Sequence, residues 1–205
     1  QTCVIVGASH AGVNCAFALR KEGWKGKILL LDTDSELPYH RPPLSKTYLV
    51  EGDKSGGNPL KSAESYQKAN IVLHLGQTVV TLNPSKKNIV LKDGSIQKYD
   101  QLVLAVGAKP IFPPIMGLSN AKNVFPMRTA ADASNIREAF NQSTEKRVVI
   151  IGGGYIGLET AASLNKLGGK ITLIERESRI LARVTAPTLS TFFQQLHESQ
   201  GVNIL

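Results

Sequence analysis

Two stretches of this sequence carry glycines, a helix-like apolar pattern and a closing acid in the same order. The first runs Val4-Ile5-Val6-Gly7-Ala8-Ser9-His10-Ala11-Gly12 and continues through apolar residues to Leu19. The second runs Val149-Ile150-Ile151-Gly152-Gly153-Gly154-Tyr155-Ile156-Gly157 and continues to Leu164. Each opens on a continuous apolar run, which predicts a strand buried on both faces. Each reaches a second apolar strand, Lys27–Leu31 or Lys170–Ile174, that ends at Asp32 or Glu175.

The interval from Gly12 to Asp32, and from Gly157 to Glu175, is close to the roughly 20 residues of a dinucleotide fingerprint. The residue types explain the spacing. Gly7 and Gly152 permit a tight strand-to-helix turn, and the small Ser9 or Gly154 lets backbone approach a pyrophosphate. Gly12 and Gly157 let the helix pack on its strand. The helix N-terminus then presents N–H groups and a positive dipole end to the diphosphate. The closing acid can accept hydrogen bonds from an adenosine ribose. One such glycine pattern is weak; two in the same strand–turn–helix–strand–acid context imply two dinucleotides, and FAD with a nicotinamide is the natural pair. Ser9 is not a hydrolase nucleophile, because Gly7-Ala8-Ser9-His10-Ala11 lacks the second glycine of that elbow.

These elements predict an α/β fold of two Rossmann-like dinucleotide-binding domains, both incomplete, with a small antiparallel β-meander in the first. The first domain is expected over 1–110 and the second, in its N-terminal part, over 111–205. Between the repeats, Pro43 suits a first helical turn, and Ser62 to Ala69 reads as a short helix. Gly52 to Pro59 reads as an exposed loop. Strands follow at Ile71–Leu75, Gln77–Leu82, Asn88–Leu91 and Ser95–Lys98, with Asp93-Gly94 as a hairpin turn. Tyr99 to Gly107 reads as a buried strand, Lys109 to Pro114 as a connector, and Ala130 to Phe140 as a helix. Thr188 to Gln200 reads as an amphipathic helix of the second domain.

Composition excludes other classes. The 205 residues are 42% hydrophobic and 20% charged, which is ordinary for a globular chain. The net charge of +8 comes from scattered Lys and Arg, which reads as a solvated surface, one able to meet an acidic partner, rather than as a nucleic-acid patch. No apolar run reaches the roughly 20 residues of a membrane helix. The only cysteines, Cys3 and Cys15, lack metal or redox spacing and read as reduced, buried thiols of a cytoplasmic protein. His10, His40, His74 and His197 show no ligand spacing, so no metal is expected. No secretory leader is visible, and without an initiator Met the start looks trimmed.

The strings Leu37-Pro-Tyr39-His-Arg41-Pro-Pro-Leu-Ser-Lys46, Tyr99-Asp-Gln-Leu-Val-Leu-Ala105-Val106-Gly107-Ala-Lys-Pro110 and Gly152-Gly-Gly-Tyr-Ile-Gly157-Leu-Glu159, with the first fingerprint, are similar to those of a known family. Across the whole chain the sequence resembles the flavoprotein ferredoxin and rubredoxin reductases, NADH-dependent partners of bacterial oxygenases, and their relative the apoptosis-inducing factor. The disulfide reductases resemble it less: they carry a Cys-x4-Cys pair where this chain has Arg41 to Lys46.

The resemblance implies an enzyme that passes electrons from NADH through FAD to an acidic ferredoxin- or rubredoxin-type carrier. It implies FAD-binding roles for Gly7, Ala8, Ser9, His10, Ala11 and Gly12, and for Arg41 and Lys46 near the flavin. Backbone at Val79 would meet the adenine. Ala105-Val106-Gly107 stands where the family writes Ala-Thr-Gly, so Val106 removes a hydroxyl. The FAD ribose acid falls at Asp32 by alignment of the two internal copies and at Thr33 by alignment to the family, with Asp34 in reserve. Gly152, Gly153, Gly154, Tyr155, Ile156 and Gly157 would hold NADH, with Glu175 and Arg183 at its adenosine end; Arg128 counts among the cofactor-binding residues. Lys46 and Glu159 are the catalytic candidates, Lys46 lending charge to the flavin and Glu159 orienting the carboxamide. Glu175 is expected to favour NADH over NADPH, although Arg176 beside it could accommodate a 2′-phosphate. Because the family continues well past Leu205, the chain is expected to be inactive alone. The alternatives are another NADH-dependent flavoprotein, of nitrite-reductase or monodehydroascorbate type, and a redox-signalling flavoprotein.

Overall fold

Apolar runs flanked by glycine, proline or polar turns become short strands, and the longer mixed segments between them become helices. The computed structural model describes residues 1–52 and 58–205. Its elements follow in the order β1 (Thr2–Val6), α1 (His10–Lys21), β2 (Lys27–Leu31), α2 (Thr47–Glu51), α3 (Ala63–Lys68), β3 (Ile71–His74), β4 (Val79–Asn83), β5 (Asn88–Leu91), β6 (Ile96–Lys98), β7 (Gln101–Leu104), α4 (Ala130–Gln142), β8 (Arg147–Ile151), α5 (Tyr155–Lys166), β9 (Lys170–Ile174), α6 (Pro187–Ser199) and β10 (Asn203–Ile204). The chain forms two compact units, Gln1–His40 with Asn58–Lys109, and Arg41–Gly57 with Pro110–Leu205. The stretch from Arg41 to Gly52 lies inside the span 1–110 expected for the first domain, yet it packs with the second unit, where α2 lies against α4 and α5. The loop expected over Gly52 to Pro59 falls largely on 53–57, outside the described residues.

In the first unit a parallel sheet has the order β3-β2-β1-β7. Alternate residues of each strand face opposite sides. Ile5, Ile28 and Leu30 pack with Val13 and Ala16 of α1 and Tyr66 of α3. Val4, Leu29 and Leu31 pack on the other side with Ile89 and Leu91. Those two residues belong to an antiparallel meander of order β4-β5-β6, the one expected from the sequence, with Asp93-Gly94 at its hairpin. Both faces are covered, which is why β1 and β2 read as uninterrupted apolar runs. Arg20 ties the helix ends together, donating to the carbonyls of Trp24, Gly26, Ala69 and Asn70 at 2.7–2.8 Å.

The second unit repeats the first as β8-α5-β9-α6-β10, with sheet order β10-β9-β8 and all pairs parallel. Leu158, Ala161 and Leu164 of α5 pack on Ile171 and Leu173. The opposite face departs from expectation. Val149, Ile151 and Ile174 are exposed, so these strands are buried on one face only. The reason is that none of the second unit's described residues forms a counterpart of the β4–β6 meander.

Other differences are local. The strand expected from Gln77 begins at Val79, because Gly76 and Gln77 donate to the carbonyls of Asp34 and Asp32. The strand expected over Tyr99–Gly107 narrows to Gln101–Leu104. Cys3 and Cys15 are both free, and only Cys3 is buried; Cys15 is half-buried. Among the described residues no helix is long and apolar enough to cross a membrane, and no cluster of His, Cys, Asp and Glu could hold a metal ion.

Candidate functional site

Each fingerprint turn begins where a strand's hydrogen-bond ladder ends. The Gly7 N–H makes the last bond of that kind, to the Leu31 carbonyl at 2.8 Å, and the Gly152 N–H makes its equivalent to Ile174 at 2.8 Å. Both glycines then take a left-handed φ, +106° and +110°. At Gly7 space adds to conformation: a Cβ there would lie 2.2 Å from the Ala105 carbonyl oxygen. Ala105 and Val106 are thereby placed beside the first turn. Gly12 and Gly157 are required for close packing, since a Cβ would sit 1.8 Å and 2.0 Å from the carbonyl oxygens of Gly7 and Gly152.

The peptide after each first glycine is bonded by the closing acid. Ala8 N–H donates to Asp32 Oδ2 at 2.5 Å, and Gly153 N–H donates to Glu175 Oε2 at 2.7 Å. The second oxygens accept from Asp34 N–H and Glu177 N–H, both at 2.9 Å. The second turn is also held from its other side, where Leu181 N–H donates to the Gly153 carbonyl at 2.9 Å. The N–H groups of Ala8 and Gly153 are therefore committed to carboxylates, and the donors aimed outward begin further along each turn. In α1 the first helical bond runs from Val13 N–H to Ser9, and in α5 from Leu158 N–H to Gly154. Ala11, Gly12, Tyr155, Ile156 and Gly157 consequently have no intrahelical acceptor for their N–H groups.

A diphosphate fits these turns. Ala11, Gly154, Tyr155 and Ile156 are exposed, and a Cβ added to Gly154 would meet nothing within 4 Å. Neither helix has a side-chain cap at Ser9 or Gly154 to compete for the donors. Each acid oxygen accepts one backbone bond and has a second lone pair for a ribose hydroxyl. His10 opens α1 with its ring edge-on to His40, centroids 5.3 Å apart.

Among the three candidates for the first ribose acid, Asp32 alone makes the bonds that Glu175 makes. Asp34 accepts from the Tyr39 hydroxyl at 2.8 Å, and Thr33 is exposed with no such contact. The segment leading to Val79 is tied to the backbone of Asp32 and Asp34. At the second turn Arg176 pairs with Glu177 at 2.9 Å, and Arg183 is exposed. The Tyr39 hydroxyl and Leu181 N–H were not legible as site residues; Tyr39 lies inside a quoted string, and Leu181 acts through backbone alone.

The second unit also gathers charged groups from two distant strings. Pro42–Ser45 is a single 3-10 turn, and Lys46 leads from it into α2. Lys46 Nζ and Ser45 Oγ both reach Glu159 Oε2 on α5, each at 2.6 Å. Ser163, one helical turn after Glu159, donates to the Ser45 carbonyl at 2.7 Å. Arg41 donates to the Arg128 carbonyl at 2.8 Å, and Arg128 N–H donates to Asp132 in the capping box of α4. The resemblance puts Lys46 and Glu159 forward as candidates but not Ser45, which sits beside Lys46 in the same string. Burial pushes the Glu159 carboxyl up; the hydrogen bonds from Lys46 and Ser45 and the Lys46 charge outweigh it, so the group titrates below its ordinary value.

Two predictions follow from this geometry. The Glu159 carboxyl has its pKa depressed by folding. Its contribution to stability is full above the ordinary value of 4.5 and is lost as pH falls through the lower folded-state value. Urea denaturation of the protein and of Glu159→Gln should differ by a constant amount above pH 4.5 and converge as the pH falls below it. The glycines should also separate by role. Gly157→Ala should cost more than about 2 kcal/mol of stability, whereas Gly154→Ala should leave the melting temperature nearly unchanged and weaken binding at the turn.

Comparison with known proteins agrees with this architecture. The family model for pyridine nucleotide-disulphide oxidoreductases matches residues 1–205. The chain is 41% identical over 203 residues to putidaredoxin reductase CamA of Pseudomonas putida, covering 98% of this chain and 48% of that protein. It is 40% identical over 204 residues to a terpredoxin reductase of Pseudomonas sp, covering 100% of this chain and 48% of the relative. The covalent putidaredoxin reductase–putidaredoxin complex superposes with a TM-score of 0.92 at 40% identity, covering all of this chain and 49% of that one. The ferredoxin reductase for the CYP199A2 system from Rhodopseudomonas palustris gives 0.94 at 32%, covering all of this chain and 50% of that one. The chain thus spans about half the length of the relatives it matches. Its repeated glycine turns, their closing acids and these likenesses place it in one group: the chain belongs to the pyridine nucleotide-disulphide oxidoreductase family.

Proposed function

We propose that the protein is an NADH-dependent flavoprotein reductase that delivers electrons to an acidic ferredoxin- or rubredoxin-type carrier in the cytoplasm. The observation that carries the reading is the pair of glycine turns, each closed by a carboxylate at the same strand end. The relatives support the acceptor class: those with about 40% identity are named reductases of putidaredoxin, terpredoxin and rubredoxin. The +8 charge suits an acidic carrier. No cysteine lies between Asp32 and Gly52 to act as a thiol relay.

When bound, NADH supplies a hydride and FAD converts that electron pair into single-electron delivery. The chain's part is to hold and orient. Gly7 permits the turn and the N–H groups of Ala11 and Gly12 are the donors for the FAD diphosphate, and Asp32 offers lone pairs to its ribose. Gly154 to Gly157 do the same for NADH, with Glu175 at its ribose. Lys46 is oriented by Glu159, and its positive charge favours electron density arriving nearby. Arg41 and Arg128 brace the same unit through the bond between them. Glu175 repels a 2′-phosphate, and Arg176, the nearest guanidinium in sequence, is already paired with Glu177.

In its full length the enzyme is expected to purify yellow, with a flavin absorption band that NADH bleaches, and to use NADH in preference to NADPH at fixed salt; the variants below are made in that form. Lys46→Ala and Glu159→Ala should each slow stopped-flow flavin reduction about ten-fold or more. Colourless protein, an NADPH preference, or unchanged reduction rates in both variants would each contradict the corresponding part of this reading.

A further inference from the structure

The same two-bond pattern occurs at both turns. A carboxylate one residue past the second strand accepts the N–H of the peptide after the first glycine through one oxygen. Its other oxygen accepts the N–H two residues further along its own loop. The pattern survives a change of side chain from Asp32 to Glu175 and a change of turn residue from Ala8 to Gly153. Both turn residues are buried. Their N–H groups lie past the end of the ladder and before the first helical bond, so neither strand nor helix can satisfy them. Left unpaired, each would carry the cost of a buried orphan donor.

We infer that Asp32 and Glu175 are positioning residues that latch the two diphosphate turns in their binding shape before any coenzyme arrives. The latch needs two acceptor oxygens. An amide offers one acceptor and one donor end, so Asn or Gln must lose one of the two backbone bonds. Ribose recognition and turn geometry then depend on one group, because hydroxyls of a bound ribose meet the oxygens that already hold the turn. Only this last step rests on the function proposed above; the latch itself is a property of the chain without ligand.

Amide hydrogen exchange without coenzyme tests it first. In the unaltered protein the Ala8 and Gly153 amides should exchange much more slowly than an open chain. In Asp32→Asn the Ala8 or Asp34 amide, and in Glu175→Gln the Gly153 or Glu177 amide, should exchange about ten- to a hundred-fold faster. Open-chain rates in the unaltered protein, or unchanged rates in both variants, would overturn the inference even if dinucleotide binding is intact. The second measurement uses an NADH analogue whose adenosine ribose lacks both hydroxyls. A residue that only reads the ribose would leave Glu175→Gln no weaker than the unaltered protein for this analogue. The latch predicts a further loss of about ten-fold. If neither protein bound NADH at all, the proposed function would fail while the exchange result still decided the latch.

Discussion

A chain that passes from a buried strand into a helix must turn within a few residues and leaves a peptide N–H stranded at the bend. That N–H can reach neither the sheet ladder behind it nor the helical ladder ahead. At both bends of this chain the gap is filled by a carboxylate from the neighbouring strand. The consequence spreads outward. With the bend held, the first helical N–H groups point away from the sheet, where an anion can gather them. The glycines behind the bend follow from the same constraint. A side chain at Gly12 or Gly157 would collide with the carbonyl of the glycine that begins the turn.

The charged cluster on α5 follows a second rule, that a partly buried charge needs a partner of fixed geometry. Lys46 and Glu159 stand far apart in sequence. They meet because Ser45 is anchored twice to α5, through its hydroxyl to Glu159 and its carbonyl to Ser163. The pair is about half open to solvent, with side-chain exposures of 45% and 37%. Its contribution to stability is therefore small. What the anchoring secures is position, which matters more to a reaction than stability does.

Much of this is legible in the sequence. Repetition made it so: two segments with the same glycines and acids constrain each other, and the apolar runs of β1 and β2 record the covering of both faces. The closing acids were read as ribose acceptors, and their bonds to Ala8 and Gly153 were not, because a side-chain-to-backbone bond leaves no mark in residue spacing. What covers the face at Val149, Ile151 and Ile174 is not legible for a related reason. An apolar run says what a strand is suited to bury, not what is present to cover it. The packing of Arg41 to Gly52 with the second unit was also invisible, since position in the chain does not fix the partner. Ser45 lay within a recognised string, but its role depends on Ser163, a residue of ordinary type in a helix.

The account stands on each turn offering its outward N–H groups to its own coenzyme. Titration of the assigned amide spectrum tests this directly. FAD should shift Ala11 and Gly12 and leave Tyr155 to Gly157 in place, and NADH should then shift Tyr155, Ile156 and Gly157. Shifts confined to other parts of the chain, or none at either turn, would contradict it.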